Sequence, residues 1–320
     1  MKKKVTLSYL IFLILFVMFP SCISSQSFIP VKGIGTLRDK DFDVSDFHGI
    51  NVSHGFDVVL VQGNSENLTL TAQENLFEYI RVKVDQGILK IYTERNIMAT
   101  QPLKATISFK SIDDLKVSGG GDVICETPIN VPKLGVNISG GGDFNTIIKT
   151  DELNCHITGG GDAEIGGSIK DYYLDMSGGG DVKSDVNANV ISCKISGGGD
   201  LTFNSREKAS DATIHIDGGG DMEVEINIEK LSCSISGGGD ASLTGQASEF
   251  EMDINGGGDV NAGSLSTNIT SFHVSGGSDI HVNALKELTG YISGGGNVYY
   301  SGSPEKISVD AKGGSEVRKE

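Results

Sequence analysis

Tryptophan is absent from this chain, and aromatic residues make up only 7% of its 320 positions. A site that grips a planar ligand by ring stacking is therefore poorly supplied. Basic residues are outnumbered by acidic ones, 26 against 42, which sets the formal charge at −16. Removing Lys2, Lys3 and Lys4 with a leader segment takes it to −19. Such a surface repels nucleic acid phosphates and disfavours non-specific adsorption to anionic lipid. Cations or a basic partner suit it better. The 44 glycines follow no G-X-Y period, so a collagen helix is excluded. No serine-elbow, HExxH or CxxC motif occurs. Carboxylate pairs are everywhere, which singles out none of them as an acid–base pair.

The glycines instead recur in one short motif, first complete as Ser118-Gly119-Gly120-Gly121-Asp122. Its aspartate returns at Asp143, Asp162, Asp181, Asp200, Asp221, Asp240 and Asp259, and degenerate copies end at Asp279, Asn297 and Glu316, with intervals of 18 to 21 residues. A nearly fixed short period is the mark of a solenoid. Aligned on the aspartate, apolar residues stand five before it (Ile138, Ile157, Met176, Ile195) and seven before it (Val136, Cys155, Leu174, Cys193). Nine before it stand Leu134, Leu153, Tyr172 and Ile191, with polar residues between. Alternation resumes after the aspartate, as in Val182 and Leu201. Period-two patterning of this kind makes strands with one buried face, and a helix cannot use it. The expectation is an all-β, right-handed parallel β-helix of about 19–21 residues per coil, with handedness taken from the rule for parallel crossovers. Each coil reads as a long strand, a glycine corner, a short strand and about six residues of variable return. The two 21-residue intervals, after Asp122 and after Asp200, place two-residue insertions in outward loops.

Three glycines in a corner call for positive φ and close backbone approach. The Ser or Thr before them (Ser118, Ser139, Thr158, Ser177, Ser196) should stack as a polar ladder. The aspartates Asp122, Asp143, Asp162, Asp181, Asp200, Asp221, Asp240, Asp259 and Asp279 are expected to cap the corner by accepting backbone N–H bonds. Stacked about 4.8 Å apart, two such charges repel by about 0.9 kcal/mol in water, so something must offset them. Bound Ca²⁺ is the alternative to capping, by analogy with glycine–aspartate β-rolls. Those repeat every nine residues as GGxGxD, so the match is one of composition. No cofactor is expected otherwise. A phosphate-cradling loop is disfavoured, because no Lys follows the glycines and an aspartate does.

Cys155, Cys193 and Cys233 hold one inward position in alternate coils, about 9.6 Å apart and beyond the ~7 Å limit for a disulfide. Free buried thiols follow, with Cys125 on a different strand. His156, His215 and His273 share an outward position but lie three coils apart, so they cannot meet on one metal. Tyr173 and Tyr299 are the best outward aromatics, with surface packing as their expected role.

Ahead of the repeats, Lys2–Lys4 and the apolar run Val5–Pro20 have the form of a signal peptide. Ser21-Cys22 directly after it resembles a bacterial lipobox, with Phe19 and Pro20 departing from the usual residues. Residues 1–21 then form the leader, Cys22 carries the lipid, and residues 22–46 read as a polar tether. Residues 47–112 read as an N-terminal β cap and irregular coils, with a separate small β domain as the alternative. Within them His54-Gly55-Phe56-Asp57 is a worn copy of the corner and Glu74–Ile80 a short helical turn. Residues 113–320 are the repeats proper.

The order of short motifs, His54-Gly55-Phe56-Asp57-Val58-Val59-Leu60, Ala72-Gln73-Glu74-Asn75-Leu76, Gly87-Ile88-Leu89-Lys90-Ile91 and Leu115-Lys116-Val117-Ser118-Gly119, resembles the auto-transporter adhesin head GIN domain family of bacterial envelope proteins. The resemblance spans roughly residues 46–315. It implies a right-handed β-helix and an adhesion role with no catalytic residues to carry over. No translocator β-barrel follows the repeats in this sequence, so self-transport is not expected. The functional expectation is a non-catalytic binding module of the cell envelope, exported as an outer membrane lipoprotein facing the periplasm or the cell surface. It would meet the membrane through its lipid, with a glycan or another envelope protein as partner and no nucleic acid. The alternatives are a polysaccharide-active β-helix enzyme, which would need a non-repeating acid–base cluster, and a purely structural scaffold.

Overall fold

The computed structural model describes residues 29–320; the expected leader and Cys22 lie outside the described residues. Alternating apolar residues and glycine corners make the chain wind as a parallel β-solenoid of about 11 turns. One core ladder runs from Val52 through Val117, Ile138, Ile157, Met176, Ile195, Ile216, Ile235, Ile254, Val274 and Ile292 to Ala311, every step a parallel register pair. The polar ladder Ser118–Ser139–Thr158–Ser177–Ser196 stacks as expected beside it. Where the sequence suggested a loose return, the backbone is instead extended and paired. Most coils are one strand from the residue after the aspartate to the first glycine of the next corner, such as Phe144–Gly159, Ala163–Gly178 and Met222–Gly237. The inward place of the return changes type from coil to coil, from Ile148 to Gly167 to Val186 and from Ile226 to Gly245, so its pairing left little period to read. The insertion after Asp200 is a bulge between Asn204 and Lys208, and the insertion after Asp122 splits its coil into Val123–Cys125, Ile129–Asn130 and Lys133–Gly140.

The interior is almost wholly apolar, with Tyr172, Phe56, Phe109, Phe144, Phe203 and Phe250 as its largest fully buried members. Tyr172 is buried, and its hydroxyl shares a 2.8 Å hydrogen bond with Ser184 Oγ, also buried. Ser184 stands in the ladder between Ile165 and Phe203; its small side chain leaves room for the ring of Tyr172, which stacks on Phe203. Burial holds the Tyr172 hydroxyl well above the usual phenol range. Ser184→Ala should cost about 1–3 kcal/mol by stranding that hydroxyl. Combining it with Tyr172→Phe should restore most of the loss in urea unfolding; additive losses would show that the pair is not coupled.

Cys155, Cys193 and Cys233 are buried free thiols, and Cys125 is a partly buried one. Burial pushes the three core thiols up to about 12 and Cys125 up to about 11. The folded state thus keeps them neutral while the unfolded chain ionises near 8.5. Their contribution is fully present below about pH 8.5 and falls by about 1.4 kcal/mol per pH unit per thiol as the pH rises towards 12. The core thiols should resist a thiol reagent at pH 8 until the protein is unfolded. Cys193→Ala should flatten the alkaline stability slope by one thiol's share, and an unchanged slope would contradict this assignment.

At the N-terminal end the parallel stack is closed by antiparallel strands. The worn copy behaves as a coil: Gly49–Val52 pairs under Asp114–Gly119, and Asp57–Gln62 under Val123–Cys125. Beneath them, Ile80–Asp85 and Ile88–Thr93 form a hairpin through Gln86 and Gly87 at φ 52° and 75°, the two positive angles that a tight two-residue turn requires. Asn67–Gln73 runs antiparallel to Lys104–Phe109. The expected helical turn is a 3₁₀ turn over Glu74–Leu76.

The expected tether needs correction. Leu37–Phe42 is a strand, antiparallel to Asn67–Gln73, and Val31–Lys32 pairs with Ile97–Met98. Leu37–Phe42 is an edge strand whose residues Leu37 to Asp41 are exposed. Arg38, Asp39, Lys40 and Asp41 erase any apolar alternation while discouraging edge-to-edge association.

Candidate functional site: an acidic groove along the glycine corners

Each corner is built by close backbone contact between coils. From Gly119 to Gly294 the first glycine has φ between 125° (Gly119) and 155° (Gly256), and in the last corner Gly313 has φ 80°. A Cβ on Gly159 would lie 1.8 Å from the Gly140 carbonyl oxygen, and one on Gly161 would lie 2.0 Å from the Gly142 oxygen. The middle glycine differs, since a Cβ on Gly160 would meet nothing within 4 Å. Its N–H donates to the Gly140 carbonyl at 3.0 Å. Positive φ is therefore needed at one glycine of the three, where the sequence suggested all of them.

The aspartates form one continuous ladder. Each backbone N–H donates to Oδ1 of the aspartate one coil earlier: Asp122 to Asp57, Asp143 to Asp122, Asp162 to Asp143, Asp181 to Asp162 and Asp200 to Asp181, at 2.9–3.2 Å. Asp221, Asp240, Asp259 and Asp279 continue it at 2.8 Å. Asn297 donates to Asp279 at 2.7 Å, and Glu316 to Asn297 Oδ1 at 3.2 Å. The aspartate carbonyl accepts in turn from the residue after the preceding aspartate, as Phe144 N–H does to Asp162 at 2.8 Å. At the turn the aspartate N–H bonds to the carboxylate of the coil before rather than to its backbone carbonyl. The backbone N–H that each aspartate accepts thus belongs to the next coil rather than to its own corner. A charge-assisted N–H bond at each step supplies an offset for the carboxylate repulsion. Among the described residues, no group of three or more His, Cys, Asp or Glu is placed to hold a metal ion.

The carboxylates wall a groove that follows the rod. Its floor is the buried residue after each aspartate, and its other wall is the next residue. One stretch of about 410 Å³ runs from Asp143 past Asn145, Glu164 and Lys183 to Thr202. It meets a second of about 710 Å³, which continues past Glu223, Ser242 and Asn261 to His281. The lining of the second stretch holds no Lys or Arg and one histidine, His281, against five aspartates and Glu223. Lys183 in the first is paired to Glu164 at 2.7 Å. The opposite wall was not singled out in the sequence because its residues vary from coil to coil; their common signal is polarity at every second place after the aspartate.

The other candidates are not brought together. His156 faces Asp175 at 3.5 Å, His273 stacks on Tyr291, and His215 lies three coils from each. Tyr173 is 39% exposed and lines a shallow depression with His156 and Lys194. Tyr299 stacks on His281 at the end of the groove. A separate depression of about 590 Å³ lies between Asn130 and Lys208, with Lys149 and Lys170 in its wall.

The family model described as "Putative auto-transporter adhesin, head GIN domain" matches residues 46–212 and 206–304. No curated protein matches the chain. Among solved structures, a "Putative lipid binding protein" from Parabacteroides distasonis ATCC 8503 is 19% identical, with 91% of this chain and 100% of that chain covered and a TM-score of 0.40. A "putative adhesin" from Bacteroides fragilis NCTC 9343 is 18% identical over the same shares, with a TM-score of 0.35. Likenesses of that size leave the fold to rest on this chain's own strand pairing.

Proposed function

The chain belongs to the auto-transporter adhesin head GIN domain family, and from that premise we propose that it is an exported, lipid-anchored, non-catalytic binding module of the outer membrane. In this reading it lays the acidic groove along a repetitive, hydroxyl-rich ligand such as a glycan. The observation that carries the reading is the ladder itself. Each coil from Asp57 to Asp279 presents one carboxylate whose Oδ1 is held by an amide, leaving Oδ2 as an acceptor for a ligand hydroxyl at intervals of about 4.8 Å. An anionic polymer is disfavoured by the same charges. The reading uses no cofactor. Cys22 supplies the anchor, and the groove runs about 34 Å along the rod from Asp143 to Asp279.

The mature protein on a glycan array should bind neutral or basic polysaccharides. Asp221→Asn with Asp240→Asn should weaken that binding about tenfold or more, since a hydrogen bond to a charged acceptor is worth about 1.5–3 kcal/mol. Binding to no glycan would favour the scaffold role, and release of reducing ends or unsaturated sugars would make the protein an enzyme. Palmitate labelling lost in Cys22→Ala supports the anchor; unlabelled, soluble mature protein removes it.

A further inference from the structure

The corrected tether changes where the rod stands. Ile29 and Ile34, 76% and 68% exposed, are the two most exposed large apolar side chains among the described residues, and Met98 (52%) lies with them. The three belong to one small platform. Val31–Lys32 pairs with Ile97–Met98 in a two-stranded sheet separate from the solenoid, with Val31 and Ile97 packed against the core. The platform is pinned to the cap. Ile34 N–H donates to Asn75 Oδ1 at 2.8 Å, Asn75 Nδ2 to the Lys32 carbonyl at 2.9 Å, and Thr100 N–H to Gln73 Oε1 at 2.9 Å. Its apolar side chains are thus held outward on a fixed base, which is uncommon for a surface with no partner.

Charge separates this end from the rest. Residues 29–112 carry nine basic and ten acidic residues, a balance of −1; residues 113–320 carry 14 and 32, a balance of −18. Exposed Lys32 pairs in register with Met98 between Ile29 and Ile34, and exposed Arg38 follows four residues after Ile34 in the edge strand. The distance along the chain is short as well. From Cys22 to Ile29 is seven residues, which span at most about 25 Å when fully extended.

We propose that Ile29, Ile34 and Met98, with Lys32 and Arg38 beside them, form a membrane-contact surface that seats the cap in the lipid interface and stands the acidic rod away from it. The inference rests on the Cys22 anchor proposed above. A bilayer containing some anionic lipid fits this surface: apolar side chains enter the headgroup boundary and the two cations meet lipid phosphates. The −18 rod is repelled from the same surface, which orients it outward.

The absence of tryptophan supplies a clean probe. Met98→Trp and, at the far end, Ile307→Trp are each placed in the mature protein. Each is attached to vesicles of phosphatidylcholine and phosphatidylglycerol with brominated acyl chains. One arm uses the native lipid on Cys22; the other uses a hexahistidine tag at residue 22 on a nickel-chelating lipid. Expected is at least twofold quenching with a blue shift for Met98→Trp, none for Ile307→Trp, and loss of quenching when Ile34→Asp is added. Equal, unquenched emission from both tryptophans in the tagged arm overturns the contact surface even if Cys22 proves lipidated. Quenching in the tagged arm with no lipid on Cys22 upholds the surface and removes only the anchor.

Discussion

Gly159→Ala is expected to destabilise the protein by about 3–5 kcal/mol, while Gly160→Ala, one residue on, leaves it as stable or up to about 1 kcal/mol more stable. The two positions share the same sequence context and opposite surroundings. Gly159 sits at φ 131°, a conformation that L side chains rarely adopt, and its Cβ would lie 1.8 Å from the Gly140 oxygen. That contact is backbone against backbone, so no side chain can rotate away. The coils must separate, at the expense of the 3.0 Å bond from Gly160 to Gly140. At Gly160 φ is not positive and a methyl group meets nothing, so alanine only reduces the freedom of the unfolded chain. A loss of several kcal/mol is a large fraction of a domain's stability, and thermal or urea unfolding followed by circular dichroism will read it. Equal effects at the two glycines would contradict the corner geometry. The third glycine is intermediate, with close contacts but no positive φ. Ser278 occupies that place in one coil, fully buried, with Oγ 3.3 Å from the Gly256 oxygen.

Asp181→Asn should match or exceed the parent protein at low ionic strength, whereas Asp181→Ala should lose about 1 kcal/mol. The asparagine keeps an Oδ1 for the Asp200 N–H, the bond that now measures 3.0 Å. It also removes repulsion from Asp162 and Asp200, each about 0.9 kcal/mol at the coil spacing in water. The alanine removes the repulsion as well, but leaves the Asp200 N–H without its acceptor. The protein carries its own precedent in Asn297, which accepts from Glu316 and donates Nδ2 to Asp279 Oδ1 at 3.1 Å. Added salt should shrink the asparagine's advantage, because it screens the charges that the substitution removes. An asparagine variant as unstable as the alanine would mean that the ladder depends on charge rather than on its acceptor geometry, and would revive the case for a bound cation.

The inside and outside of each coil were legible in the residues. Cys155, Cys193 and Cys233 fall inward on alternate coils, Tyr172 inward and Tyr173 outward, and His54-Gly55-Phe56-Asp57 is a true coil under the first full corner. Leu37–Phe42 was not legible. Its pairing with Asn67–Gln73 is made by backbone groups, and its exposed side chains show no period. The groove was half legible: its aspartate wall repeats, and its opposite wall does not.

The repeat by itself determined the coil, its apolar ladders and the place of every corner, because side-chain alternation and glycine spacing are local properties that stacking can only copy. Only the tertiary structure decided which of three glycines is irreplaceable, which amide each aspartate caps, and how few residues separate Cys22 from the folded cap. These depend on atoms 18 to 65 residues apart in sequence. Winding the chain brings them within hydrogen-bond reach, and no periodicity along one coil records what the next coil places against it.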